Sequence, residues 1–238
     1  MSRRSISSGL LRFIWVAAFL APLAIVYPGA AQRSVAAASP SAAAARPTFR
    51  DGFTSANWTT EKTAKLYQVA ATASVVRFST PGGGAGGFQW VGLQFRHQIR
   101  GNFDISIQYS KASIKRVNGS PANQVQLNAV FGGQIFCVVR DDDAGAGNNY
   151  HVYTGGWNGT VKTSATSGVL RIVRVGSTVS GYVDGARLYQ GTYNSSPVTQ
   201  LWFSLQNNGT FDPISVTFSK FVLSAGTISQ ALAVPLLK

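Results

Sequence analysis

Residues 138–152 read V-V-R-D-D-D-A-G-A-G-N-N-Y-H-V, and residues 169–185 read V-L-R-I-V-R-V-G-S-T-V-S-G-Y-V-D-G. The first stretch predicts a strand ending on Arg140, a polar turn, and a return strand entered through Asn149 and Tyr150. The second predicts a hairpin with its turn at Gly176-Ser177 and a return strand ending on Asp184-Gly185.

The same grammar holds outward from these hairpins. In 103–110, Phe103, Ile105, Ile107 and Tyr109 alternate with Asp104, Ser106, Gln108 and Ser110. In 124–131, Val125, Leu127, Ala129 and Phe131 oppose Gln124, Gln126 and Asn128. Leu201, Phe203 and Leu205 oppose Trp202, Ser204 and Gln206, and 214–223 repeats the scheme. A period of two places alternate side chains on opposite faces of a sheet, so each strand has one apolar and one wet face. No amphipathic helical pattern of any length interrupts them. The expected fold is therefore all-β: a two-sheet antiparallel β-sandwich. The glycine-rich segment 81–87 reads as a loop between strands, since no Lys-Ser/Thr pair or helix follows it.

The two hairpins, together with Asp51-Gly52-Phe53 and Asn57-Trp58 near the start of the first strands, resemble the jelly-roll domains of the concanavalin A-like (laminin G-like) lectin/glucanase superfamily. The resemblance implies a jelly roll over 49–224, with the aromatic pair Phe53 and Trp58 sealing one end of the sandwich. It implies much less about activity, because that scaffold hosts lectins, adhesins and glycosidases.

The flanks have a different composition. Arg3, Arg4 and Arg12 are followed by an apolar run from Phe13 to Tyr27 and by Pro28-Gly29-Ala30-Ala31, the order of a secretory signal peptide at 1–31. The run falls short of the ~20 residues that cross a bilayer, so membrane contact is expected only through an uncleaved N-terminal segment. The expected location is secreted, cell-surface or periplasmic. Residues 32–48 are an Ala-rich linker, and 225–238 are expected to form a C-terminal tail.

A formal net charge of +13 favours anionic partners such as acidic polysaccharide or cell-wall polymer. The basic residues are scattered singly, without interleaved aromatics, so nucleic acid is not expected. The single cysteine, Cys137, allows no intrachain disulfide and sits in an apolar run where a buried thiol is expected.

Eight acids are available: Asp51, Glu61, Asp104, Asp141, Asp142, Asp143, Asp184 and Asp212. Glycoside cleavage uses two carboxylates aligned across the scissile bond. The resemblance implies that glucanases draw them from one strand at Glu-x-Asp-x-Glu spacing, and that spacing is missing here. The chain is thus expected not to be an enzyme, with Asp104 and Asp142 as the carboxylates to test for a glycan-cleaving alternative. His97 and His151 read as strand residues rather than as bases, and they are too few for a zinc site.

Asp141, Asp142 and Asp143 with Asn148 are the one concentration of hard oxygen ligands. Two readings stand: a calcium (Ca2+) site, which the resemblance favours, or a polar turn whose side chains satisfy backbone amides. Sugar binding needs aromatic faces for stacking and planar polar groups for hydroxyls. Trp157, in a turn-rich loop, and Trp202, on the polar face of its strand, supply the first. Gln126, Asn128 and Gln206 supply the second, with Asp104 and Gln108 if all share one face; Trp58 and Trp90 read as structural. The expected function is a non-catalytic carbohydrate-binding or adhesive module whose partner is a polysaccharide or glycan, anionic if charge decides. The alternative is a structural or assembly protein of the cell envelope held by its basic surface.

Overall fold

The computed structural model describes residues 49–82, 87–117, 121–208 and 212–229. The predicted signal peptide (1–31), the predicted linker (32–48), part of the glycine-rich loop and residues 230–238 lie outside the described residues. Fifteen strands form among the described residues, in chain order: β1 (Phe49–Asp51), β2 (Trp58–Lys62), β3 (Gln68–Ala71), β4 (Val75–Thr80), β5 (Phe88–Phe95), β6 (Ile99–Ser113), β7 (Ala122–Phe131) and β8 (Gln134–Asp143). They continue with β9 (Gly147–Tyr153), β10 (Trp157–Lys162), β11 (Gly168–Val175), β12 (Thr178–Val183), β13 (Ala186–Thr192), β14 (Val198–Asn208) and β15 (Ile214–Ile228). No helix is present among these residues.

Every pairing is antiparallel. The first sheet runs β2-β5-β14-β7-β8-β9-β10. The second runs β13-β12-β11-β6-β15-β4-β3, with β1 on β15 beyond the end of β4. A single bridge, Val198 to Ile99, joins the two. Neighbours such as β14 and β5 are far apart in sequence, as a jelly roll requires.

The predicted parity holds strand by strand. Ile105, Ile107 and Tyr109 of the second sheet face Val125, Leu127 and Phe203 of the first, and all are fully buried. Rings from opposite sheets interlock: Phe203 meets Phe218 at 4.7 Å between centroids, and Trp58 meets Phe221 edge-on at 4.9 Å. The Tyr109 and Tyr150 hydroxyls touch across the same interior. At one end, Phe53 and Trp58 close over Phe203, while Asp51 accepts hydrogen bonds from Trp58 Nε1 and Asn57 Nδ2, each at 3.0 Å. The β12–β13 turn falls on Asp184-Gly185, both at positive φ (49° and 83°), the geometry of a two-residue hairpin turn matched to strand twist.

Two sequence boundaries move. The strand expected to end at Arg140 continues to Asp143, because Asp141, Asp142 and Asp143 pair in register with Asn149, Asn148 and Gly147. The last strand passes residue 224 and pairs Thr227 with Arg100 and Ile228 with Ile99, so residues 225–228 belong to the sheet and not to a tail. Ile228 packs against the core there, which gives the extension its apolar reason.

Candidate functional site

Strand register assembles the outer face of the first sheet in three rows. One row runs Trp90, Gln206, Gln124, Asp141, Asn149, Lys162; another runs Gln94, Trp202, Asn128, Cys137, Tyr153, Trp157. Between them lie Glu61, Gly92, Ser204, Gln126, Val139 and His151. All five predicted sugar contacts, Trp157, Trp202, Gln126, Asn128 and Gln206, therefore occupy one face.

Within that face the amides do a different job from the one expected. Asn128 Nδ2 donates to Gln126 Oε1 at 3.2 Å, and Gln126 Nε2 donates to Gln124 Oε1 at 2.7 Å. Gln206 Nε2 donates to the same Gln124 oxygen at 2.6 Å. Gln126, Asn128 and Gln206 are buried. They form a mutually bonded floor rather than an open set of contacts, because amides two residues apart along β7, and directly opposite each other on β7 and β14, reach one another. Trp202 is half-buried above this floor, and Trp157 is 51% exposed.

Trp90, read as structural from sequence, belongs to this face as well. A Cβ on Gly92 would sit 3.3 Å from Trp90 Cζ3 and 2.6 Å from the Phe203 carbonyl oxygen. Glycine there makes room first for the β14 backbone and also for the ring, so the Trp90 indole lies over bare backbone. Trp58, by contrast, is the core residue expected of it. Asp104 and Gln108 do not join the face: they lie on the outer side of the second sheet, where Arg171 grips Asp104 through two bonds of 2.7 and 2.6 Å.

At the far edge, His151 is buried and its Nε2 lies 2.6 Å from Asp141 Oδ2. Trp157 stacks on the imidazole at 4.2 Å, and Tyr153 meets Trp157 edge-on at 5.0 Å. The histidine is thus a wedge fixing the exposed indole, an arrangement that depends on Asp141 belonging to strand β8 and not to the turn. Val139 faces His151 and Asp141 faces Asn149, so the aspartate–histidine pair is a diagonal neighbour across a hairpin.

The four predicted calcium ligands do not gather into one set. Asp141 bonds His151 on the outer face, whereas Asp142 takes Arg116 from the opposite side. Asp143 accepts from the Gly145 and Ala146 amides, which is the turn reading, and Asn148 accepts from Arg140 at 2.6 Å. Asp141 Oδ1 and Asn149 Oδ1 remain buried without partners, two oxygens where calcium takes six to eight. Among the described residues no group of three His, Cys, Asp or Glu side chains is placed to hold a metal ion. Arg140 also donates to the Ala165 carbonyl at 3.0 Å, tying the hairpin to the segment after β10. Cys137 is buried, and burial pushes its thiol pKa well up.

No protein-family model matches the chain, and no curated protein matches its sequence. Solved structures do match. An endo-acting O-glycanase from the human gut microbiota superposes with a TM-score of 0.55 at 10% identity, covering 75% of this chain and 98% of the other. A Bacillus licheniformis beta-glucanase gives 0.50 at 12%, covering 74% and 97%. The Emp46p carbohydrate recognition domain gives 0.50 at 14%, covering 71% and 88%. At these identities the likeness fixes the fold: a concanavalin A-like jelly roll.

Proposed function

We propose that the chain is a non-catalytic glycan-binding module acting outside the cytoplasm, with the outer face of the first sheet as its binding surface. The observation that carries this reading is the sharing of one face by Trp90, Trp157 and Trp202 over a hydrogen-bonded amide floor. Flat indoles match the apolar faces of sugar rings, and a floor locked in advance costs less side-chain entropy when a ligand arrives. The fold neighbours include a carbohydrate recognition domain, which agrees with it.

Carboxylate placement supports the non-catalytic half. Asp141 and Asp143, neighbours on the outward parity of β8, are engaged by His151 and by the Gly145 and Ala146 turn amides, and Glu61 lies across β5, β14 and β7 from both. Four inter-strand steps of about 4.8 Å place Glu61 roughly 19 Å from the β8 acids. Glycosidases of either stereochemistry hold their acids within about 10 Å. Asp104 and Asp142, the acids proposed for cleavage, are on other surfaces and engaged by arginines.

Charge placement narrows the ligand. Among the described residues, the one cation on the three rows is Lys162, which donates to the Ala146 carbonyl. The glycan taken by this face is therefore uncharged. Titration of the full chain with a panel of neutral polysaccharides, read by tryptophan fluorescence, tests this. Saturable quenching that survives added salt is expected; a flat response to the whole panel overturns the binding reading. Release of new chain ends from any polysaccharide overturns the non-catalytic one.

A second reading, attachment to an anionic envelope polymer, draws on the other sheet. Register aligns Arg187, Tyr182, Arg171, Ser106, Val222 and Arg50 across its outer face, with Arg77 in a parallel line through Thr217 and Ser110. Such binding weakens steeply as ionic strength rises.

A further inference from the structure

A cleft of about 410 Å3 opens at the end of the sandwich where three segments meet: the β7–β8 turn, the β9–β10 turn, and the end of β13 with Tyr193. Its size falls within the roughly 300–1,000 Å3 of small-ligand sites. Two glycines set its walls. A Cβ on Gly159 would collide with the Leu188 carbonyl, and one on Gly132 would collide with the Asn194 amide. Strand β10 and the β7–β8 turn therefore approach the β13 end closely and leave the gap between them. Two further glycines, Gly133 and Gly155, line the opening with nothing within 4 Å of where a side chain would stand.

The lining is preset. The Tyr193 ring packs against Phe131 at 5.1 Å and Phe136 at 5.5 Å, and its hydroxyl bonds Thr154. Thr154 is itself held by Asn158 Nδ2 at 3.0 Å. Tyr189 offers a second ring beside Phe136. Gln134 accepts from Asn194 Nδ2 at 3.4 Å, which leaves its own amide hydrogens to donate into the cleft. The lining contains no carboxylate, guanidinium, ammonium or imidazole group. In a protein of formal net charge +13 that is a selective omission, since a site for an anion would use the cations at hand.

We infer that this end cleft binds an uncharged sugar residue, at a site separate from the outer face of the first sheet. Two half-buried phenol rings meet the apolar side of a pyranose, and Gln134, Thr154 and Thr192 meet its hydroxyls. The site goes beyond the proposed function, since it shares none of the tryptophans on which that reading rests.

The test is protein-observed NMR on the full chain with methyl glycosides of glucose, galactose, mannose and N-acetylglucosamine, and with methyl glucuronide as the charged arm. Tyrosine ring signals report the cleft, and indole N–H signals report the outer face. At least one neutral glycoside should shift the Tyr189 and Tyr193 rings saturably, and the effect should persist in about 0.5 M salt. Gln134→Ala, at an exposed position that leaves the core intact, should weaken that binding by about 5-fold, the worth of one neutral hydrogen bond. Absence of tyrosine shifts with every neutral glycoside, shifts confined to the glucuronide, or indifference to Gln134→Ala each overturns the site. Indole shifts alone would do so while leaving the proposed function standing.

Discussion

On the outer face of the first sheet, indoles stand over buried amides that bond one another; on the outer face of the second, serines, threonines and arginines stand in water. Both faces follow from the same two-residue alternation, yet the consequences differ. The first face is cooperative: Gln124 Oε1 alone serves both Gln126 and Gln206. The second is a set of side chains that pair only locally, Arg171 with Asp104 and Arg187 with Gln190. A polar face built from internal bonds is rigid and neutral and can present rings. A polar face built from solvated charges is suited to long-range attraction.

The sharpest way to break this contrast is Gln124→Leu. Removing the shared acceptor strands two buried amide donors, each costing about 1–3 kcal/mol. The expected loss of roughly 2–5 kcal/mol, measured by denaturant unfolding, compares with less than about 0.5 kcal/mol for Ser106→Ala on the other face. Equal losses would mean that the floor is no more integrated than the solvated face.

Much of this contrast was legible in the sequence, and the part that was not has a topological cause. Alternation at 103–110, 124–131 and 201–206 identified which side of each strand is core and which carries the polar residues, although on 124–131 and 201–206 that polar side is itself buried. It left open which polar sides share a face, because that depends on strand order. Trp202 was therefore grouped with Asp104 and Gln108, although β14 pairs along its length with β5 and β7 while β6 belongs to the other sheet. Trp90 was hidden because Phe88–Phe95 carries aromatics on both parities. The His151–Asp141 pair was readable only once the turn was placed at 144–146; ending the strand at Arg140 put the aspartate in a loop. Buried amides on the polar parity give no sequence signal at all, since Gln and Asn look the same exposed or bonded.

The interior between the two faces yields a pH prediction common to both. Burial pushes the phenols of Tyr109 and Tyr67 up, and contact with the Tyr150 hydroxyl adds to the shift at Tyr109. A group whose folded pKa is raised lends its full stability below the unfolded value, here about pH 10, and that stability is lost as pH climbs toward the folded one. Unfolding free energy should fall by up to about 1.4 kcal/mol per pH unit for each such phenol above pH 10. Tyr109→Phe should flatten the decline measured by urea titrations between pH 9 and 11. An unchanged slope would mean that another group sets the alkaline limit.

On the first face, Trp202→Ala should weaken binding of a neutral glycan by about 10-fold, near 1.4 kcal/mol, as expected for loss of a ring anchor. Trp90→Ala tests the third ring directly, because it removes the indole that lies against Gly92. If the ring matters, this variant should lose affinity. Unchanged affinity, in a titration of folded protein, would remove Trp90 from the binding surface.

The smallest effects are expected on the second face, and their salt dependence is informative. Arg50 and Arg77 are exposed, and among the described residues neither has a carboxylate partner; Arg171 spends both ends of its fork on Asp104. For an anionic polymer in low salt, Arg50→Ala and Arg77→Ala should each cost about 3-fold, an exposed charge being worth only a fraction of a kcal/mol. Arg171→Ala should cost about as much, because each of the three variants lowers the charge of this face by one, and in low salt the polymer responds to that sum. All three losses should vanish in about 0.5 M salt, where the Debye length shrinks to a few ångströms. An Arg171→Ala loss that persisted at high salt would tie that arginine to a specific contact, and the second face would then resemble the first.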